Sequence, residues 1–150
     1  MRWSRGEALI ERLIDERRLQ RVSGAQADGT ALLARAARTV DTAEMVAADD
    51  PDSAYVLAYD ATRQACTALL AHQGLRPTTQ GGHYAVEEAV RGQFGESFRA
   101  VGTLRRRRNE LEYPTYPGDE ADRDEVADAI RMARQIIEAA QRILPNLGVF

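Results

Sequence analysis

Six apolar residues, Val126, Ile130, Ala133, Ile137, Ala140 and Leu144, recur along the C-terminal part of the chain at steps of 4, 3, 4, 3 and 4. Only an α-helix, with about 3.6 residues per turn, places such a series on one face. That stripe must be covered by neighbouring elements, because an amphipathic helix draws most of its stability from packing. A sheet is not on offer as the cover: β-branched residues are scattered and no stretch alternates with period two. The chain is instead rich in strong helix formers, with 25 Ala and 20 Arg and no Lys. The expected fold is all-α, an up-and-down bundle of about five to six helices.

Breakers and caps divide the chain into helices at about residues 7–21, 28–48, 52–73, 83–93, 97–112 and 123–144. Leu9, Ile10, Leu13 and Ile14 make the first helix amphipathic, and Ser23-Gly24 breaks it. Asp49-Asp50-Pro51 separates the second helix from the third, with the proline where a helix starts. Gly74 and Pro77 close the third, which carries a stripe of small residues from Ala58 to Ala68. Pro114 stops the fifth helix, and Asp122-x-x-Glu125 reads as a capping box for the last. Residues 1–24 form an N-terminal amphipathic segment and 25–150 the remaining bundle, one globular domain together.

Charge and cysteine usage narrow the function classes. The net charge of −3 gives no global positive field to draw the chain to nucleic acid or anionic lipid. One cysteine, Cys66, cannot form an internal disulfide, and no apolar run approaches the ~18 residues of a membrane span. The N-terminus reads as a charged helix rather than a signal peptide, so a cytoplasmic protein without membrane attachment is expected. With two histidines and one cysteine, no dedicated zinc site and no cofactor are expected. Cys66 sits mid-helix among Ala and Thr and reads as a buried small hydrophobe. His72 reads as a helix C-terminal residue favoured by the dipole when protonated, and His83 as a cap or surface residue. Gly81-Gly82, before a helix, offers backbone N–H groups to an anion or simply makes a turn.

The run Arg105-Arg-Arg-Arg108 carries the most information. With Phe98 at zero on a helical wheel, Val101, Leu104 and Leu111 fall at about 300°, 240° and 220°, and Arg108 at about 280°, inside their arc. Arg106 and Arg107 point away at about 80° and 180° and read as solvated, while Arg105, at about 340°, lies on the edge. A guanidinium on an apolar stripe needs a partner. Glu112 and Asp60 are candidate carboxylates for a structural salt bridge; the other reading is an anion or nucleotide site at a helix pair or dimer interface.

Arg108-Asn109-x-x-x-Tyr113, late in a long helix and followed by proline, resembles the motif of the HEPN superfamily (higher eukaryotes and prokaryotes nucleotide-binding). That motif is an Arg, commonly followed by Asn, then three further residues and a His. Two earlier stretches agree. Residues 54–75, rich in Tyr and Ala and ending near a glycine, resemble the family's second core helix, and residues 82–90 its following short helix, which often opens with His. The resemblance implies a homodimer in which two Arg motifs meet across a cleft. It also implies either a metal-independent ribonuclease of toxin–antitoxin, stress or defence systems, or a non-catalytic protein that binds nucleotides or a nucleotidyltransferase partner. By this resemblance Arg108, Asn109 and Tyr113 are the candidate catalytic set, and with Arg105 the candidate RNA- or anion-binding set. The chain departs from the pattern where Tyr113 stands in place of His. A phenol that ionises near pH 10 is a poor base at neutral pH but still donates a hydrogen bond to phosphate. The resemblance therefore carries the fold, the dimer and the Arg-Asn site and leaves the cleavage step open. The alternative is a non-catalytic interaction or antitoxin-type helical module.

Overall fold

The computed structural model describes residues 2–150. It holds six α-helices and one very small sheet: α1 (Glu7–Asp15), β1 (Leu19–Arg21), α2 (Thr30–Val46), α3 (Pro51–His72), β2 (Leu75–Pro77), α4 (Gly82–Phe94), α5 (Ala100–Glu112) and α6 (Arg123–Ile143). The fold is all-α, as the sequence requires. Pro51 and Asp122 act as read, although the Glu125 carboxylate turns to Arg107 and does not close the capping box. Asp50 accepts the backbone N–H of Ser53 at 3.2 Å with Pro51 in the first turn of α3, and Asp122 accepts that of Glu125 at 2.8 Å to open α6.

The central element is α3. Ala54, Ala58, Ala61, Ala65 and Ala68 are all fully buried along it, so α2, α5 and α6 can approach closely. The closest approach is at Gly29, where a Cβ would stand 1.9 Å from the carbonyl oxygen of Ala68; any side chain there would force the start of α2 off α3. Cys66 lies fully buried on the same helix, and burial pushes its thiol up to about 12.

Two boundaries differ from the sequence reading. The first helix stops at Asp15, and the chain turns through Arg17 at φ 59° into β1, which pairs antiparallel with β2 in the register Leu19 with Pro77 and Arg21 with Leu75. Three residues per strand are too few to show alternation, and the pair is held by burial of Leu19 and Leu75. The fifth helix starts at Ala100, after a 3₁₀ turn at Gly95–Phe98.

The N-terminal segment is packed on the rest of the molecule. Ile10 and Leu13 of α1 are fully buried, each contributing about 1.5–3 kcal/mol by area. Nearby, two buried glutamines bond each other reciprocally through their side-chain amides, Gln73 to Gln93 at 2.6 Å and Gln93 to Gln73 at 3.0 Å. Their backbone carbonyls accept from Phe150 N–H (2.8 Å) and from the Trp3 indole N–H (3.1 Å), which ties both ends of the described chain to the α3–α4 junction.

Candidate functional site

Adjacent arginines on α5 have opposite surroundings. Arg107, expected to be solvated, is only 19% exposed and is saturated with acceptors: Glu125, Glu110 (2.9 Å), Asp119 (3.0 Å) and the Glu120 carbonyl (3.2 Å). Glu125, then Glu110 and Asp119, raise its pKa further above its ordinary value. The wheel misplaces it because a wheel sees only its own helix. The loop after α5 folds back and brings carboxylates over this side. Arg107 is thus the structural ion-pair residue, while Arg106 is exposed and unpaired, as read.

Arg108 falls on the inner side of α5, but the proposed carboxylates are not there. Neither Glu112 nor Asp60 pairs with it among the described residues. Its Nε is buried without a hydrogen-bond partner, and its Nη1 makes only a 3.4 Å contact to Asn109 Oδ1. Its guanidinium carbon lies 6.0 Å from the centre of the Tyr59 ring, at the limit of a cation–π contact. Arg105 is occupied. It donates to Glu87 through Nε at 2.8 Å and to the Tyr84 hydroxyl at 3.2 Å, and it lies 4.3 Å over the Tyr84 ring. Gly102 leaves room for this: a Cβ there would meet Glu87 Oε1 at 2.5 Å, so a larger residue would make the end of the Glu87 side chain shift.

Half-burial separates the arginines decisively. Among the described residues, Arg18, Arg63, Arg105, Arg107, Arg108 and Arg134 are half-buried. Four of these hold carboxylates: Arg18 with Glu88, Arg105 with Glu87, Arg107 with its cluster, and Arg134 with Asp41 and Glu44. Arg63 and Arg108 hold none. Arg108 lies 6.0 Å from the centre of the Tyr59 ring, Arg63 stands one turn after Tyr59 on α3, and both disfavour protonation of His83.

The Tyr59 hydroxyl bonds His83 Nδ1 at 2.9 Å. Tyr59 is 1% exposed, and burial pushes its phenol up to about 12, so it stays protonated. His83 lies on the first turn of α4 with its pKa lowered from 6.5, by burial first, then by Arg63 and Arg108, against a smaller opposing effect of Asp60. The positive end of the α4 dipole acts in the same direction. Sequence reasoning missed Arg63 and the pairing of Tyr59 with His83. The available signal was the i,i+4 spacing of Tyr59 and Arg63, which puts them on one face of α3.

Tyr113 terminates α5 through a backbone bond to Asn109 O (2.9 Å); its ring is 75% exposed and makes no side-chain hydrogen bond among the described residues. Asn109 is exposed beside Arg108. The Gly81 and Gly82 N–H groups are consumed by Thr78, through its hydroxyl (3.1 Å) and carbonyl (2.9 Å), so they make a turn and not an anion cradle. His72 Nδ1 accepts the Gly29 N–H at 3.3 Å and lies 3.6 Å from Asp28 Oδ1, so it ties the entry of α2 to the end of α3. A cleft of about 580 Å³ between α1 and α4 includes Arg18 and Arg91, but both face Glu88 or Glu87 and no cation is free there. No group of three or more His, Cys, Asp or Glu is placed to hold a metal ion, and no helix is long and apolar enough to cross a membrane, among the described residues.

The family model of the HEPN domain matches residues 30–143, from α2 through α6. The chain belongs to the HEPN family. The match contains every member of the Arg63, Tyr59, His83 and Arg108 cluster, while α1 and β1 precede the HEPN region. Comparison with curated proteins and with solved structures finds no match.

Proposed function

We propose that this HEPN protein is a homodimer that binds the phosphate groups of RNA or of a nucleotide between α3, α4 and α5, in a bacterial toxin–antitoxin, stress or defence setting. One observation carries the reading: Arg108 is half-buried with an unbonded Nε and no carboxylate, near the Tyr59 ring, and the other half-buried arginine without a carboxylate, Arg63, stands one turn from Tyr59 on α3. A half-buried guanidinium left without an anion costs several kcal/mol unless water or a ligand serves it. Its fork geometry suits a phosphate. Asn109 and the Tyr113 hydroxyl, at the end of the same helix, extend the donor set along a bound chain, and Arg105 holds Tyr84 at its edge.

The dimer reading is supported by a groove of about 450 Å³ beside the arginine helix, where Val56 and Leu57 of α3 and Leu111 of α5 are only half-buried. A second copy covering it would bring two Arg108 side chains toward one another, with a nucleotidyltransferase or antitoxin partner competing for the same face. The test is fluorescence anisotropy with a single-stranded RNA oligonucleotide and with free nucleotides. Arg108→Ala lowers affinity at least tenfold while Arg106→Ala leaves it unchanged. Equal losses in both variants would reduce the run to undirected positive charge. Light scattering should give about twice the 16.6 kDa chain mass.

A further inference from the structure

We infer that the segment from Trp3 to Arg21, which precedes the HEPN region, is a clasp that fixes α4 against the phosphate site, with Thr78 as the positioning residue that couples the two. The inference rests on the phosphate-binding reading above and goes beyond it by naming what holds the site in place. The segment runs antiparallel to α4 and touches it at both ends and in the middle. At the far end, the Trp3 indole N–H donates to Gln93 O at 3.1 Å, and a Cβ at Gly6 would stand 2.8 Å from Gly92 O. Mid-helix, Arg12 and Arg18 grip the two oxygens of Glu88 at 2.8 and 3.1 Å. At the near end, a Cβ at Gly81 would lie 2.1 Å from Arg18 O. Thr78 closes this end with four bonds. Its hydroxyl donates to Arg17 O (2.6 Å) and accepts the Gly81 N–H (3.1 Å). Its own N–H donates to Arg18 O (3.1 Å), and its carbonyl accepts the Gly82 N–H (2.9 Å). Arg17 and Arg18 belong to the turn between α1 and β1, whereas Gly81 and Gly82 open α4 directly before His83. Arg17 takes φ 59°, a strained conformation for a residue with a Cβ that the surrounding bonds must offset.

On its other side α4 supplies the site. His83 Nδ1 bonds the Tyr59 hydroxyl at 2.9 Å, and the Tyr59 ring is the neighbour of Arg108. Glu87 holds Arg105 at 2.8 Å, and the Tyr84 hydroxyl accepts from the same guanidinium at 3.2 Å. Adjacent glutamates thus divide the work: Glu87 answers the arginine helix and Glu88 the clasp. A displaced first turn of α4 reaches Arg108 through Tyr59 and Arg105 through Tyr84. A binding site whose supports are loose by roughly 1 Å loses much of its function.

The experiment uses the full chain and two readouts, the His83 imidazole titration by NMR and affinity for a single-stranded RNA oligonucleotide by anisotropy. In the native protein burial first, then Arg63, Arg108 and Arg105, against Asp60, hold the His83 midpoint below 6.5. Thr78→Val keeps the shape and removes both side-chain bonds. It should raise the midpoint toward 6.5 as the ring leaves these surroundings, and lower affinity about fivefold, the scale of one hydrogen bond. Thr78→Ser, which retains the hydroxyl, should restore both. Glu88→Gln loosens the clasp without touching Thr78 and should move both readouts the same way by less. Val40→Ala, a fully buried truncation on α2, should lower Tm at least as much and move neither. An unmoved His83 midpoint in Thr78→Val overturns the positioning role, because a merely structural threonine would change Tm alone. A moved midpoint with unchanged affinity, while Arg108→Ala still weakens binding, overturns the clasp's link to the site and leaves the phosphate reading standing. Affinity that does not depend on Arg108 removes both.

Discussion

The corner between α5 and α6 and the face shared by α3, α4 and α5 use the same side chain to opposite ends. At the corner, Arg107 meets three carboxylates and a backbone carbonyl, and its charge is fully answered within the chain. One residue later, Arg108 is half-buried with an unbonded Nε and no carboxylate in reach. Charge–charge and hydrogen-bond energy is therefore spent on holding the structure in one place and left unspent in the other. A residue type, even a run of one residue type, does not reveal which use it serves; the surroundings do.

Breaking the corner should have the largest effect on stability. Arg107→Ala strands Glu125 and Asp119 beside each other and should cost about 2–3 kcal/mol. For a chain of this size that lowers Tm by about 5–10 °C, read by calorimetry or thermal circular dichroism. Oligonucleotide affinity of the folded fraction should not change. If Arg107→Ala were silent in the melt and weakened binding instead, the two regions would have been assigned in reverse.

The complementary substitution sharpens the contrast. Arg108→Ala and Arg63→Ala each remove an unanswered cation, so Tm should hold or rise slightly while affinity drops about tenfold, equivalent to ~1.4 kcal/mol, for each. Urea melts set beside anisotropy titrations make the comparison directly. A clear loss of stability in Arg108→Ala would mean that the guanidinium is satisfied within the protomer.

Gly102→Ala probes the border between the two regions. The new methyl group meets only the end of the Glu87 side chain, so the cost of moving it roughly offsets the helix-propensity gain of about 1 kcal/mol and Tm should change little. Tyr84 and Arg105 should shift with Glu87, visible as changed Tyr84 resonances in NMR. The smallest effect belongs to His83. Its folded pKa lies below its unfolded value, so the unfolded state binds more protons in the window just under 6.5. Stability therefore rises with pH through that window and is lost as pH falls through it, with no further change from this group on either side. His83→Gln should remove that component of the pH dependence and nothing larger.

Most of the helical frame is readable from residues alone. Caps at Asp50 and Asp122, the prolines at 51, 114 and 145 and the stripe from Val126 to Leu144 are local signals, and helices answer to local signals. The β1–β2 pair escapes because its partners lie more than 50 residues apart and each strand has only three residues. The site is legible only in part. The wheel correctly turns Arg108 inward, since that depends on α5 alone. It fails for Arg107, whose partners arrive from a loop and another helix. Likewise Tyr59 and His83 meet across 24 residues and a turn, a distance over which periodicity carries no information.

The confinement of unanswered half-buried cations to a single face has a kinetic consequence. The chain as a whole is acidic, at −3, so a long polyanion feels little attraction until it is within a Debye length, about 8 Å at physiological salt. Association with RNA should then proceed without the rate enhancement of electrostatic steering and change only modestly as salt is lowered. With two free arginines per protomer in the site, few counterions are released. The logarithm of affinity should fall with the logarithm of salt at a slope of only about −1.4 per protomer for a single strand. Such a surface favours short, flexible or already unpaired segments over extended duplex, because it rewards one well-placed phosphate more than many distant ones.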